Sequence, residues 1–155
     1  MIVKPIVDVV RLPDAIRLDE FPLYLVAFVA DQITKQTHAI AKSNGLNVSH
    51  WRVLAALADC PGRTAQEVVS ITPMDKGIVS RAVKGLIGLG MVTRKASDED
   101  GRIGHLFLTK DGELVYTKIA NEVRRINSTM LQSLTEEEIA AFNETIGKLS
   151  HALKT

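Results

Sequence analysis

Apolar residues between positions 23 and 43 recur at the spacing of one face of an α-helix. Pro22 suits the first turn of such a helix and the glycine of SNGLN ends the pattern, so we predict a long first helix from Leu23 to about Ser43. Residues 1–20 contain Pro5 and Pro13 and are expected to form an irregular arm. The apolar face of the helix consists of Leu25, Phe28, Val29, Ile33 and Ile40.

Residues 49–89 carry the signals of three shorter helices. Ser49 is placed to cap HWRVLAALAD, which ends at CPG. Thr64 and Glu67 form a T-x-x-E capping box at the start of AQEVVSI. The last of the three is predicted from Asp75 to about Leu89, and its buried side should consist of Ile78, Val79, Ala82, Val83, Leu86 and Ile87.

The apolar period changes to two after residue 89, which indicates strands. GMVTRKA and HLFL are predicted to form a hairpin around the acidic turn DEDGRIG, with Thr109 placed to cap the next helix. Asp98, Glu99, Asp100 and His105 could instead ligate a metal ion. Three consecutive acids on a tight turn cannot all converge on one ion, so we favour the turn and expect no metal site.

Two helices with narrow apolar stripes close the chain. The first stripe consists of Val115, Ile119, Val123, Ile126 and Met130. Thr135 and Glu138 form another capping box, and the stripe behind it consists of Ile139, Phe142, Ile146, Leu149 and Leu153. Such stripes suit helix-on-helix packing, so we expect them to pair with a second copy of the chain; packing on the chain's own first helix is the alternative.

Length and composition are those of one ordinary domain, since 46% of the 155 residues are apolar and can form a core. The single cysteine, Cys60, excludes an internal disulfide and is interpreted as a structural thiol. No signal peptide is recognisable and the longest apolar run, FPLYLVAFVA, is about half a membrane span, so we expect a cytoplasmic protein without a membrane partner. We find no phosphate-binding glycine loop or nucleophile–base pair, and therefore expect neither enzymatic activity nor a cofactor.

The net charge of +1 makes no demand on a partner, but the basic residues are unevenly placed. Residues 76–95 contain no acid and five basic residues: Lys76, Arg81, Lys84, Arg94 and Lys95. On the fourth helix the face opposite the apolar side consists of Lys76, Gly77, Ser80, Arg81 and Lys84. A solvated surface would also explain this face, but a capped short helix, a tight turn and this second helix form a helix-turn-helix layout, which favours DNA binding.

The strand pair completes a winged helix, and here the sequence resembles the MarR family of bacterial transcription regulators from about residue 22 to the end. The wing pattern D-x-R-x-x-x-L-x-L-T is matched by Asp100, Arg102, Leu106, Leu108 and Thr109. MDKGIVSRAVKGLIGLGMVTR is similar to the family's recognition helix and the turn into the wing. The resemblance implies a mainly α fold with a small β-hairpin wing.

The resemblance also implies one MarR-type domain over residues 1–155 that forms a homodimer on double-stranded DNA. Its expected parts are an arm at about 1–20, a winged-helix DNA-binding lobe at 49–109, and dimerisation helices at 21–45 and 110–155. The family's typical action is that of a ligand-responsive repressor on a pseudo-palindromic operator. A winged helix that binds an acidic protein partner, without preference among DNA sequences, is the alternative.

Carried onto this chain, the resemblance assigns roles to individual residues. Asp75 would cap the recognition helix, with Thr72 as an alternative cap. Arg102 would sit at the wing tip in or beside the minor groove, while Asp100 would shape the wing. The major groove would be faced by Lys76, Gly77, Ser80, Arg81 and Lys84.

Family members commonly bind a small phenolic or lipophilic anion between the dimerisation helices and the DNA-binding lobe. For this chain, Arg17 is the candidate carboxylate partner, His38 the polar contact and Trp51 the aromatic wall of such an effector pocket. Some relatives sense oxidants through a cysteine near the start of the first helix, whereas Cys60 lies at the end of the second. That mode of regulation is therefore not expected.

Overall fold

A computed structural model of the 155-residue chain describes residues 12, 14–96 and 104–153. The described residues form six helices and one antiparallel strand pair, in the order predicted. The helices are α1 (Pro22–Ser43), α2 (Val48–Asp59), α3 (Ala65–Ile71), α4 (Lys76–Gly88), α5 (Lys110–Leu131) and α6 (Glu136–Ala152). The strands are β1 (Val92–Ala96) and β2 (Gly104–Leu108), which confirms a mainly α fold with a hairpin wing.

The chain divides into two compact units, residues 1–36 and 37–155, with the division inside α1. In the first unit, the part of α1 from residue 22 to residue 36 exposes most of its large apolar side chains. Of the five residues predicted for the apolar face of this helix, only Ile40, in the second unit, is buried in the single chain. No helix among the described residues has the length and apolar character needed to cross a membrane.

The hydrophobic core lies in the second unit, where α2 packs on α4 and α5 while α3 packs on α4. Its largest fully buried side chains are Leu54, Leu57, Leu86, Leu106 and Ile119. Ile87 was predicted to be buried but is exposed. Leu86 lies at the centre of the buried arc of α4, and the next residue is rotated from it by about 100°, which turns Ile87 towards solvent.

The N-cap of α2 is Asn47 rather than Ser49, so that prediction was wrong. The side-chain oxygen of Asn47 accepts a hydrogen bond of 2.9 Å from the backbone N–H of His50, and the helix begins at Val48. Gly45, with φ of 73°, turns the chain sharply after α1, and Leu46 is buried immediately behind it. This early entry into α2 leaves Ser49 inside the first turn.

Residues 62–64 attach the wing to the helix-turn-helix. The N–H of Gly62 donates to the Leu106 carbonyl at 2.9 Å, and the N–H of Leu106 donates to the Arg63 carbonyl at 3.0 Å. Thr64 then caps α3 in the predicted capping box. Its backbone N–H and its hydroxyl donate to the carboxylate of Glu67 at 2.7 and 2.8 Å, which lowers the pKa of that carboxyl. The wing strand and the first helix of the motif are thus joined through the backbone.

Thr109 joins the end of the wing to α5 and to the turn after α4. As predicted, its hydroxyl accepts from the N–H of Gly112 at 3.1 Å; the same hydroxyl donates to the Gly90 carbonyl at 2.6 Å. The N–H of Thr109 donates to the Met91 carbonyl at 3.1 Å. The backbones approach so closely that a Cβ atom on Gly112 would overlap the carbonyl oxygen of Met91.

Replacing Gly112 with alanine should lower the free energy of unfolding by about 1–3 kcal/mol, because backbone atoms must move to admit the methyl group. Urea denaturation followed by circular dichroism measures the change. The matched control is Gly88→Ala in α4, where the added Cβ meets nothing within 4 Å and stability should not fall. An unchanged stability of Gly112→Ala would contradict the close approach.

Candidate DNA-binding interface

The exposed face of α4 carries the basic side chains predicted to read DNA. Asp75 caps the helix, since its carboxylate accepts from the N–H of Ile78 at 2.7 Å. Thr72 does not cap α4, because it ends α3 and its hydroxyl donates to the Val68 carbonyl. The five predicted groove-facing positions are all exposed: Lys76, Gly77, Ser80, Arg81 and Lys84.

The basic groups of this face are free to meet an anion. In the part of the chain that the structure describes, no carboxylate forms an ion pair with Lys76, Arg81 or Lys84. Arg81 lies back along the helix over Gly77, where a Cβ atom would sit 3.4 Å from its guanidinium nitrogen. The carboxylate of the capping residue Asp75 lies beside the same point, at 3.3 Å, so the backbone at Gly77 is bordered by these two side chains and carries none of its own.

The first wing strand extends the basic surface. Arg94 and Lys95 are both exposed on β1, and their side chains point to opposite faces of the strand pair. Arg94 crosses over Gly104, where a Cβ atom would lie 2.7 Å from the arginine Cδ. The ammonium of Lys95 lies 5.1 Å from the centroid of the Phe107 ring, a cation–π contact.

The turn between the two strands, residues 97–103, lies outside the described residues. The roles expected of Arg102 at the wing tip and of Asp100 in its shape therefore stay predictions. The competing metal hypothesis also falls largely on this turn, through Asp98 and its two acidic neighbours. Its remaining member, His105, places its Nδ1 2.7 Å from the Gly62 carbonyl, where it supports the wing attachment.

The three residues expected to hold an effector have different surroundings. In the first unit, the guanidinium of Arg17 pairs with Glu20 at 2.5 Å and with Asp19 at 3.4 Å. In the second unit, His38 is exposed on α1. Trp51 is half-buried on α2 and stacks on Tyr116 of α5, with ring centroids 5.7 Å apart and planes 10° apart.

Known proteins resemble this chain over most of its length. A family model described as MarR family matches residues 44–103. The transcriptional regulator BilQ of Clostridium symbiosum is 31% identical over 115 residues, which cover 74% of this chain and 80% of BilQ. The transcriptional repressor IacR of Pseudomonas putida is 25% identical over 142 residues, which cover 92% of this chain and 85% of IacR.

The fold is shared with a solved regulator. PcaV of Streptomyces coelicolor, solved in complex with its natural ligand, matches with a TM-score of 0.77 at 23% identity. The match covers 90% of this chain and 98% of PcaV. The winged-helix arrangement seen here therefore occurs in a transcriptional regulator of nearly the same length.

His50 supports the buried side of α4 and was missed in the sequence. A Cβ atom on Gly85 would lie 2.8 Å from Nε2 of His50, so the imidazole of α2 packs directly against the backbone of α4. Its Nδ1 is buried without a hydrogen-bond partner among the described residues, and burial lowers the pKa of His50. Gly85 inside the helix was the one available signal, but Gly88 of the same helix meets nothing within 4 Å, so a helical glycine alone does not identify the contact.

The lowered pKa of His50 should make the protein less stable in acid. The unfolded chain binds the proton more readily than the folded chain, so the free energy of unfolding falls as the pH drops from 6.5 towards the folded pKa. Urea denaturation between neutral pH and about pH 5 should show a shallower acid loss for His50→Gln than for the parent. His38→Gln, at an exposed position, is the control for loss of one imidazole. If the free energy of unfolding fell equally with pH in His50→Gln and in the parent, His50 would not be the cause of the acid loss.

Proposed function

The chain belongs to the MarR family of transcription regulators, and we propose that it is a homodimeric repressor released from its operator by a small ligand. The observation that carries the proposal is the exposed face of α4, where the five predicted contact positions lie together and none of the five is an acid. IacR, which aligns with nearly the whole chain, is named a repressor, and PcaV was solved with its natural ligand. Both support this assignment.

On DNA, α4 enters the major groove as the recognition helix. The guanidinium of Arg81 is suited to bond a guanine edge bidentately, while Lys76 and Lys84 neutralise phosphates. Gly77 lets the helix backbone approach the duplex. The wing lies beside the groove, with Arg102 at its tip, and its position relative to α4 depends on the attachments made by Thr109 and by residues 62–64.

Pairing with a second copy is supported by apolar surface that the single chain leaves uncovered. No side chain of α6 is fully buried in the single chain, and Phe142 on this helix is 54% exposed. On α1, Phe28 is 53% exposed and Leu25 is 42% exposed. Within each unit, large apolar side chains left exposed in this way are typical of an interface. A symmetric dimer would present two recognition helices to half-sites about one helical turn apart.

The proposal includes a small effector molecule. The family resemblance favours a small phenolic or lipophilic anion, and Arg17, His38 and Trp51 are the candidate residues of this chain for its contacts. Arg17 already forms exposed ion pairs with Asp19 and Glu20, which would compete with an incoming carboxylate. The alternative function, a winged helix that binds an acidic protein, would give equal binding to all DNA sequences.

Alanine at Arg81 or at Lys84 should weaken operator binding by about tenfold or more, because a base or phosphate contact is lost. The operator is obtained by selecting bound fragments of genomic DNA, and affinities are measured by fluorescence anisotropy at several salt concentrations. Loss of a phosphate contact should also reduce the salt dependence by about one unit of slope. Lys118→Ala, an exposed lysine on α5, controls for net charge. If both variants bound the operator with the parent's affinity, the exposed face of α4 would not be the DNA-binding surface.

Serine at Phe142 should weaken the dimer, because a large apolar side chain leaves the proposed interface. Sedimentation at micromolar concentration should show a larger monomer fraction than for the parent. Leu89→Ser removes an apolar side chain that is 52% exposed at the end of α4, outside the stripes, and should leave association unchanged. A fully dimeric Phe142→Ser protein would remove this position from the interface.

A further inference from the structure

A cavity of about 410 Å³ opens in the second unit between the end of α2, strand β2 and the start of α5. Its apolar wall consists of Leu57 and Ala58 on α2, Pro61 just beyond it, and Phe107 and Leu108 on β2. Leu57 is fully buried, so the floor belongs to the core. The volume falls within the range of roughly 300–1,000 Å³ that is typical of sites for small organic molecules.

The polar edge of the cavity comes entirely from α5. It consists of Glu113, Tyr116 and Thr117. The hydroxyl of Thr117 donates to the Glu113 carbonyl at 2.8 Å, so towards a ligand it can only accept. The Glu113 carboxylate is an acceptor with a negative charge, and no lysine, arginine or histidine is among the lining residues. This edge therefore suits a ligand that donates hydrogen bonds or carries a positive charge.

Neighbouring cations do not reverse this preference. Lys110 and Lys118 of α5 line an adjoining hollow that also includes Glu113 and Thr117, but neither lysine lines this cavity, and among the described residues neither forms an ion pair with Glu113. Arg63, close in sequence to Pro61, is compensated by Asp59 at 2.7 Å and donates to the Ala56 carbonyl. Lys95 lies over the Phe107 ring but is itself exposed, so water and salt screen its charge. A carboxylate or phenolate in the cavity would face Glu113 without a compensating cation from the lining. Because Glu113 is also exposed, screening keeps this repulsion modest.

We propose that this cavity binds a small apolar amine, with the Glu113 carboxylate as counter-ion of the ammonium and the hydrocarbon part against Leu57 and Phe107. The ligand class differs in charge from the anion that the family resemblance favours. The effect on DNA rests on the proposed function: the cavity is bounded by β2 of the wing and by α5, and a ligand that fits one spacing of these elements better shifts their equilibrium. Ligand binding itself does not depend on it.

Three isosteric probes test the charge preference: para-tert-butylbenzylamine, the corresponding benzyl alcohol and the corresponding benzoate. Trp51 is the only tryptophan and stacks on Tyr116 of the cavity edge, so its fluorescence reports binding, with calorimetry as a second measurement. The amine should bind most tightly, the alcohol less tightly and the benzoate least. Glu113→Gln should weaken amine binding about fivefold and leave alcohol binding unchanged. Glu144→Gln, an acid of α6 paired with Lys148, is the matched control and should bind like the parent.

The site itself is tested by filling it. Ala58→Phe should abolish binding of both the amine and the alcohol, and Thr117→Phe, at an exposed lining position, provides a second block if the first variant unfolds. Benzoate binding as tight as amine binding, or parental amine affinity in Glu113→Gln or in both filled variants, would overturn the proposal.

Operator affinity is measured separately, with and without the amine. If the amine binds but operator affinity does not change, the cavity is a ligand site but does not control repression. If the protein binds its operator but not the amine, the proposed ligand site is wrong and the repressor proposal is unaffected.

Discussion

The hydroxyl of Thr109 holds together the three parts of the molecule that must act in concert. It bridges the Gly90 carbonyl, just after the proposed recognition helix α4, and the N–H of Gly112, in the first turn of α5, while β2 ends at the residue before it. Because the hydroxyl donates in one direction and accepts in the other, neither apolar nor charged side chains can replace it in full. The proposed recognition helix α4, the wing and the proposed dimerisation helix α5 thus meet at one small polar junction, and the absence of a side chain at Gly112 allows this close approach.

Charge is distributed so that a nearly neutral protein can still offer a strongly positive surface. The formal charge is only +1, yet residues 76–95 contain five basic side chains and no acid. Acids are concentrated elsewhere, including the three consecutive glutamates in the first turn of α6, where the helix dipole favours them. A local basic face attracts DNA at short range, whereas a large net charge would strengthen non-specific binding over the whole surface. This distribution suits the proposed repressor, which would leave its operator as well as bind it.

Most of the fold was predictable because its signals are local. The capping boxes at Thr64 and Thr135, and the caps at Asp75 and Thr109, need only residues three positions away, and periodicity identified the exposed face of α4. Ser49 failed because Asn47 is an equally good cap two residues earlier, and a turn at Gly45 decided between them. The attachment of residues 62–63 to β2 and the packing of His50 on Gly85 join residues far apart in sequence, which periodicity does not reveal. The wing tip with Arg102 and the effector contacts of Arg17, His38 and Trp51 stay predictions.

The backbone pairing of residues 62–63 with β2 also defines what could be moved as a module. A two-stranded hairpin is marginally stable in water by itself, and here β2 gains hydrogen bonds on its second edge from a segment about thirty residues before β1. A chimera that exchanged only residues 92–108 between relatives would leave those bonds to be remade by a foreign segment. A chimera should therefore exchange the segment from Gly62 to Thr109 as one unit, so that the wing and α4 are transferred together.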